Sequence, residues 1–192
     1  MKFRQRLILA SRSPRRIALL RQIGLDPEVV PSSVPEDFDD ALSPSQNVTT
    51  IAARKAAEVG RDIDHGLIIG ADTTVVVNGR VLGKPATPHE AVSMLELLSG
   101  KTHTVFTGVA VIARPSDTLV KEVETTDVTF RKIPRSEIEA YVEGGSPMDK
   151  AGAYGIQDDY GAVFVTRIEG CFYNVVGLPL SRLYGILQRF QS

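Results

Sequence analysis

The sequence has a single cysteine, Cys171. That excludes an internal disulfide framework and any cysteine-rich zinc site, and a lone cysteine reads as a small packed side chain. An excess of one charge is also lacking. Lys and Arg number 22 against 23 Asp and Glu, a formal net charge of −1. A general nucleic-acid-binding surface is clearly basic, so nucleic acid is not an expected partner. No apolar run approaches the length of a membrane span. The basic N-terminal stretch is followed by an apolar run too short for a signal peptide, and the cytoplasm is the expected location. Repeats, low-complexity tracts and linkers are missing as well. What is present is 192 residues, 43% hydrophobic and 23% charged. That suffices for one core and a single domain over 1–192, with room for two lobes.

The N-terminal region carries the first pattern of interest. Residues 7–10 form an apolar run of strand length, and Ser13-Pro14 reads as an N-cap with proline at the first helical position. Ile17, Leu20 and Ile23 recur at helical spacing, and Gly24 supplies a stop. The turn between strand and helix holds Ser11, Ser13 and three arginines, Arg12, Arg15 and Arg16. Free N–H groups and a positive dipole end make such a turn attractive to phosphate. The plainer reading, a capped helix with solvated arginines, stands beside it.

A short strand is expected at 28–31, then a polar loop over 32–46 that carries Glu36, Asp37, Asp39 and Asp40. Residues 47–59 read as an alanine-rich helix bearing Arg54 and Lys55 and ending at Gly60. The clearest buried strand is 67–73, an unalternating apolar run that stops at Asp72-Thr73. In an α/β sheet ligands gather beyond the carboxyl ends of strands, so Asp72 is either a ligand-facing carboxylate or a turn aspartate. Asn78-Gly79 between two valine-rich runs signals a hairpin that returns Lys84 toward Asp72.

Thr87-Pro88-His89-Glu90 fits a capping box opening a helix to Leu98. Long strands follow at 102–113 and 118–130, expected to pair antiparallel. His103 lies among strand residues with no second histidine or cysteine nearby, so a metal-ligand role is not expected. A short helix at 134–142, a small-residue segment at 149–157, a strand at 162–168 and a final amphipathic helix complete the chain.

Several of these pieces recur together elsewhere. Leu9-Ala10-Ser11-Arg12-Ser13-Pro14-Arg15-Arg16, Gly70-Ala71-Asp72-Thr73, Gly83-Lys84-Pro85, Ser99-Gly100-Lys101-Thr102-His103, Lys150-Ala151-Gly152-Ala153-Tyr154-Gly155-Ile156-Gln157 and Asn174-Val175-Val176-Gly177-Leu178-Pro179 occur in that order. Each alone is weak; together they closely resemble the Maf family of nucleoside triphosphate pyrophosphatases over nearly the whole chain. The resemblance implies an α/β fold with a mixed central sheet, flanking helices and two lobes around a cleft, similar to inosine triphosphate pyrophosphatase. Asp72-Thr73 and the Lys150 to Gln157 motif resemble the branch acting on dTTP and UTP. Two departures stand out. Val34-Pro35 precedes Glu36 where the family often has an acidic pair, which leaves Glu36, Asp37 and Asp39 as alternatives. Asp158 stands where a glycine commonly follows the motif glutamine.

The resemblance further implies a reaction and a set of roles. A nucleoside triphosphate is cut between its α and β phosphates, giving the monophosphate and pyrophosphate, with Mg2+ or Mn2+ as the divalent cation. Asp72 is the expected general base and a metal contact, with Glu36 as the second carboxylate. Ser11 and Arg15 are expected to take the phosphates, with Lys55 and Lys84 as further charges, while Arg12 and Arg16 remain open. Thr73 and Gln157 are the expected readers of the base. A glutamine amide donates and accepts together, matching the N3–H and carbonyl edge of uracil or thymine. A homodimer is expected. Two other readings remain: a regulatory binding protein in cell division, since the family has a link to septum formation, and a pyrophosphatase for 7-methyl-GTP or inosine triphosphate.

Overall fold

The computed structural model describes residues 5–157 and 160–190. The N-terminal tetrapeptide and Asp158, both weighed above, lie outside the described residues. Seven strands form a mixed sheet in the order β2-β1-β3-β5-β6-β7, with β4 paired to β3. They are β1 (Leu7–Leu9), β2 (Glu28–Val29), β3 (Gly66–Val77), β4 (Arg80–Leu82), β5 (Thr102–Arg114), β6 (Thr118–Phe130) and β7 (Val165–Glu169). The helices are α1 (Pro14–Gln22), α2 (Pro44–Gly60), α3 (Pro88–Leu98), α4 (Arg135–Glu143), α5 (Phe172–Val176) and α6 (Leu180–Gln188). This is the expected α/β class with a mixed sheet. No described helix is long and apolar enough to cross a membrane.

Chain contacts divide into two compact units. The first comprises Met1–Asp72, Thr107–Glu124 and Gly177–Ser192; the second comprises Thr73–Phe106 and Thr125–Val176. In the first, β1 pairs in parallel with both β2 and β3, Ile8 lying opposite Glu28 and Ile68. Ile8, Ala10, Ala56, Val59, Ile68 and Ile112 form a core cluster joining β1, α2, β3 and β5. Full burial of one such large aliphatic side chain contributes about 1.5–3 kcal/mol. Helix α2 lies directly on the sheet. A Cβ at Gly70 would come 2.1 Å from the Ala52 carbonyl oxygen, and one at Gly108 2.4 Å from Val48 backbone.

In the second unit, the β3–β4 hairpin turns at Asn78 and Gly79, both left-handed, with Val75 opposite Leu82. Such a turn matches the twist of its strands. The Thr102–Thr129 and Thr104–Asp127 side-chain hydrogen bonds reflect the antiparallel register of β5 and β6. Phe164 is fully buried, its ring against those of Phe130 and Tyr141.

Four expectations are corrected. Helix α2 starts at Pro44 rather than Asn47, because Ser43 and Gln46 form a complete capping box. Asn47 instead sits in the first turn, buried, its amide nitrogen donating to the carbonyls of Asp39 and Leu42. Strand β3 does not stop at Asp72 but continues to Val77. Pairing with β1 ends near Ile69, and β4 takes over as partner at Val75. Strand β7 begins at Val165, because Tyr160–Phe164 is a 3-10 turn. At α3 the Thr87 hydroxyl caps the Glu90 N–H as expected, but the Glu90 carboxylate accepts from Ala86 rather than from Thr87.

Candidate active site

Helix α1 starts as its sequence demands. The Ser13 hydroxyl accepts the Arg16 N–H at 3.4 Å, and Pro14 occupies the first helical position. Just upstream, the Ala10 N–H donates to the Ile69 carbonyl at 2.8 Å, which fixes the turn to β3. Ser11 is buried, and its hydroxyl oxygen accepts from the Ser13 N–H at 3.2 Å and from Arg16 Nη1 at 3.1 Å. With its oxygen so occupied, the hydroxyl hydrogen is left to donate.

Arg16 is the residue that sequence reasoning left undecided. It is buried; Nη1 donates to the Ala71 carbonyl at 2.9 Å and Nε to the Gly177 carbonyl at 2.9 Å. It thus holds Ser11, the residue before Asp72 and the start of the last segment in one place. A signal existed: Leu19 and Leu20, three and four residues on, are buried on the same helix face. Arg15 is half-buried and Arg12 exposed.

The acidic loop resolves into distinct roles. Asp39 is a turn residue: its carboxylate accepts the Ala41 N–H at 2.9 Å and its own N–H donates to Asn47 Oδ1 at 2.8 Å. Glu36 is the carboxylate that reaches α2. Lys55 Nζ, almost fully buried, lies 2.6 Å from Glu36 Oε1 and 2.7 Å from Asp72 Oδ1. The loop is held from α2 a second time by Glu58, whose carboxylate accepts from the Ser33 N–H at 2.9 Å and from the Ser32 and Ser33 hydroxyls.

Burial pushes the Asp72 carboxyl above its ordinary range, against the opposing pull of the Lys55 and Arg16 cations. The same burial draws the Arg16 guanidinium down, with Asp72 and Glu36 opposing. Lys55 engages Asp72 Oδ1, whereas Oδ2 makes no hydrogen bond among the described residues. A buried carboxylate with one oxygen fixed and the other left open suits proton abstraction from water. Glu36 and Asp72 also offer hard oxygen ligands, the donor type that magnesium and manganese take. Among the described residues no group of three or more His, Cys, Asp or Glu could hold a metal ion. Two carboxylates fit a cation that draws its remaining ligands from water and phosphate oxygens.

Thr73, Lys84 and Gln157 belong to the second unit. Thr73 follows Asp72 in β3, and alternation along a strand sends the two side chains to opposite faces. Lys84 is exposed, beyond β4. Gln157 Nε2 is buried and has no hydrogen-bond partner among the described residues, a donor that a ligand acceptor would satisfy. The segment before it is tightly built: the Gly152 N–H donates to the Gly83 carbonyl at 3.0 Å, and Gly152 and Ala153 are both left-handed.

A parallel-stranded α/β core with two buried cations and a buried aspartate beside a capped helix N-terminus defines a class, proteins equipped to handle phosphate groups. The family model for Maf-like proteins matches residues 6–190, and the chain belongs to the Maf family. It is 48% identical over 189 residues to a dTTP/UTP pyrophosphatase of Caldicellulosiruptor bescii, covering 96% of this chain and 94% of that one. It is also 48% identical over 184 residues to a dTTP/UTP pyrophosphatase of Pelotomaculum thermopropionicum, covering 96% of each. A dTTP/UTP pyrophosphatase of Bacillus cereus is 47% identical over 186 residues, covering 97% of this chain and 96% of the relative.

Proposed function

We propose that this chain is a nucleotide pyrophosphatase that hydrolyses dTTP and UTP to the monophosphate and pyrophosphate. The observation that carries the chemistry is the buried Lys55–Asp72 pair, joined from the exposed loop by Glu36, with Oδ2 of Asp72 open. Near-full-length similarity to dTTP/UTP pyrophosphatases supports the choice of substrate. In this reading Asp72 takes a proton from the attacking water as the bond between the α and β phosphates breaks. Ser11, Arg15 and the N-terminus of α1 bind phosphate oxygens, and Lys84 adds a further charge. Lys55 fixes both carboxylates and contributes positive charge. Glu36 and Asp72 would hold a Mg2+ or Mn2+ ion, which supplies charge neutralisation for the phosphates.

Thr73 and Gln157 read the base. The unpartnered amide nitrogen of Gln157 supports this, because a pyrimidine carbonyl would satisfy it. Reading the N3–H and carbonyl edge leaves C5 unchecked, so thymine and uracil are both accepted, while a purine leaves polar groups unpaired. Residues 1–192 act as one catalytic domain, as a homodimer in the cytoplasm.

Substitution of the base tests the assignment. Asp72→Asn should lower turnover of dTTP in the presence of manganese by at least about 100-fold, the usual contribution of a positioned general base. Retention of most of the turnover would remove Asp72 from that role.

A further inference from the structure

The pyrimidine-reading role of Gln157 demands that its backbone be held firmly, yet the chain just before it adopts an unfavourable conformation. Gly152 and Ala153 have φ of 70° and 62°, and a Cβ at Gly152 would press on the Val75 side chain at 3.0 Å. Something must hold the following residues in place. Three rings stand there. His103 packs edge-on against Phe130 at 4.9 Å and against Tyr154 at 5.3 Å, and Phe130 and Tyr154 meet at 4.8 Å. His103 Nε2 lies 2.8 Å from Tyr154 Oη, in the only side-chain hydrogen bond that His103 makes among the described residues. The Tyr141 hydroxyl, from α4, accepts the next N–H, that of Gly155, at 3.4 Å.

The protonation state of the histidine follows from its surroundings. It is 2% exposed, and burial lowers it to about 4, so the ring is neutral near pH 7. A neutral ring carries one N–H. Nδ1 has no partner among the described residues, so Nε2 makes the ring's hydrogen bond. That bond joins Nε2 to the Tyr154 hydroxyl whichever of the two atoms donates.

We infer that His103 and Tyr154 are positioning residues for pyrimidine selection: their hydrogen bond holds Gln157, three residues beyond Tyr154, where its amide meets the base. The inference rests on the base-reading role proposed for Gln157. It gives a use to a buried histidine that takes no part in the phosphate chemistry.

The test compares Tyr154→Phe, Gln157→Ala and the double variant, with kcat and KM measured separately for dTTP and dGTP. Tyr154→Phe keeps the ring packing and removes only the hydroxyl. It should lower the preference for dTTP over dGTP by roughly three- to tenfold, the worth of one neutral hydrogen bond. The loss should appear in the KM for dTTP, with kcat within about twofold, since the transferring phosphates are untouched. In the Gln157→Ala background the same change should have no further effect on preference, because Tyr154 acts through Gln157. His103→Gln, whose amide can donate or accept, should retain the preference, whereas His103→Leu should lose it as Tyr154→Phe does. The His103→Leu variant also answers the question if Tyr154→Phe does not fold. An unchanged preference in Tyr154→Phe or His103→Leu, with Gln157→Ala impaired, overturns the positioning role. So does an effect fully additive with Gln157→Ala. If Gln157→Ala itself leaves the preference unchanged, the base-reading assignment falls, and this inference with it.

Discussion

His103 shows what burial does to a single residue. An exposed histidine titrates near 6.5, whereas this one is held down to about 4 by loss of hydration, with only Asp127 pulling the other way. The unfolded chain therefore binds a proton between these two pH values that the folded chain refuses. Stability is lost as pH falls through that window, fully retained above about 6.5, and reduced in total by about 3 kcal/mol below 4. Urea unfolding at pH 7 and at pH 4.5 should show a larger loss in the native chain than in His103→Gln, which cannot titrate. Equal losses in the two would contradict the burial argument. Lys55 makes the complementary case. It is as deeply buried, but two carboxylates answer its charge, and burial of a charge is tolerable only with such partners.

Helix α2 is the element that brings Lys55 to Glu36 and Asp72. It carries Lys55, and the missing Cβ atoms of Gly70 and Gly108 let it lie against the backbone of β3 and β5. Gly70→Ala would set a methyl group into the Ala52 carbonyl and push the helix outward. Overpacking of this kind costs about 1–3 kcal/mol, which for a chain of this size lowers the thermal midpoint by about 2–12 °C. Activity should fall too as Lys55 leaves its carboxylates; a calorimetric midpoint unchanged from the native chain would contradict the packing. Local signals of this sort were partly legible. The Ser13-Pro14 cap and the Asn78-Gly79 turn each depend on neighbours in sequence and formed as their residues dictate. The start of α2 did not read correctly, because Asn47 looks like a cap but spends its amide on the acidic loop. The continuation of β3 past Asp72 was hidden because a charge in mid-strand is affordable only with a buried lysine brought from α2.

At the scale of the whole molecule, six separated motifs pointed to one family, and the match over residues 6–190 agrees. From the sequence, the resemblance favours Glu36 for the cation but leaves Asp37 and Asp39 as alternatives. Geometry distinguishes them, turning Asp39 onto a backbone N–H while Glu36 reaches Lys55. It likewise separates Arg16, buried and tied to three partners, from Arg12, which is exposed. Neither distinction is readable from composition or spacing, since both depend on which residues distant in sequence come within hydrogen-bond reach. Substrate and cleaved bond together make up the proposed reaction. Its most direct test is product analysis with a nucleotide panel of dTTP, UTP, dGTP, inosine triphosphate and 7-methyl-GTP in the presence of manganese. Monophosphate and pyrophosphate should be released from dTTP and UTP, with the purine nucleotides turned over far more slowly. Orthophosphate as the released product, a preference for a purine nucleotide, or no hydrolysis at all, as a purely regulatory binding protein would show, would contradict it.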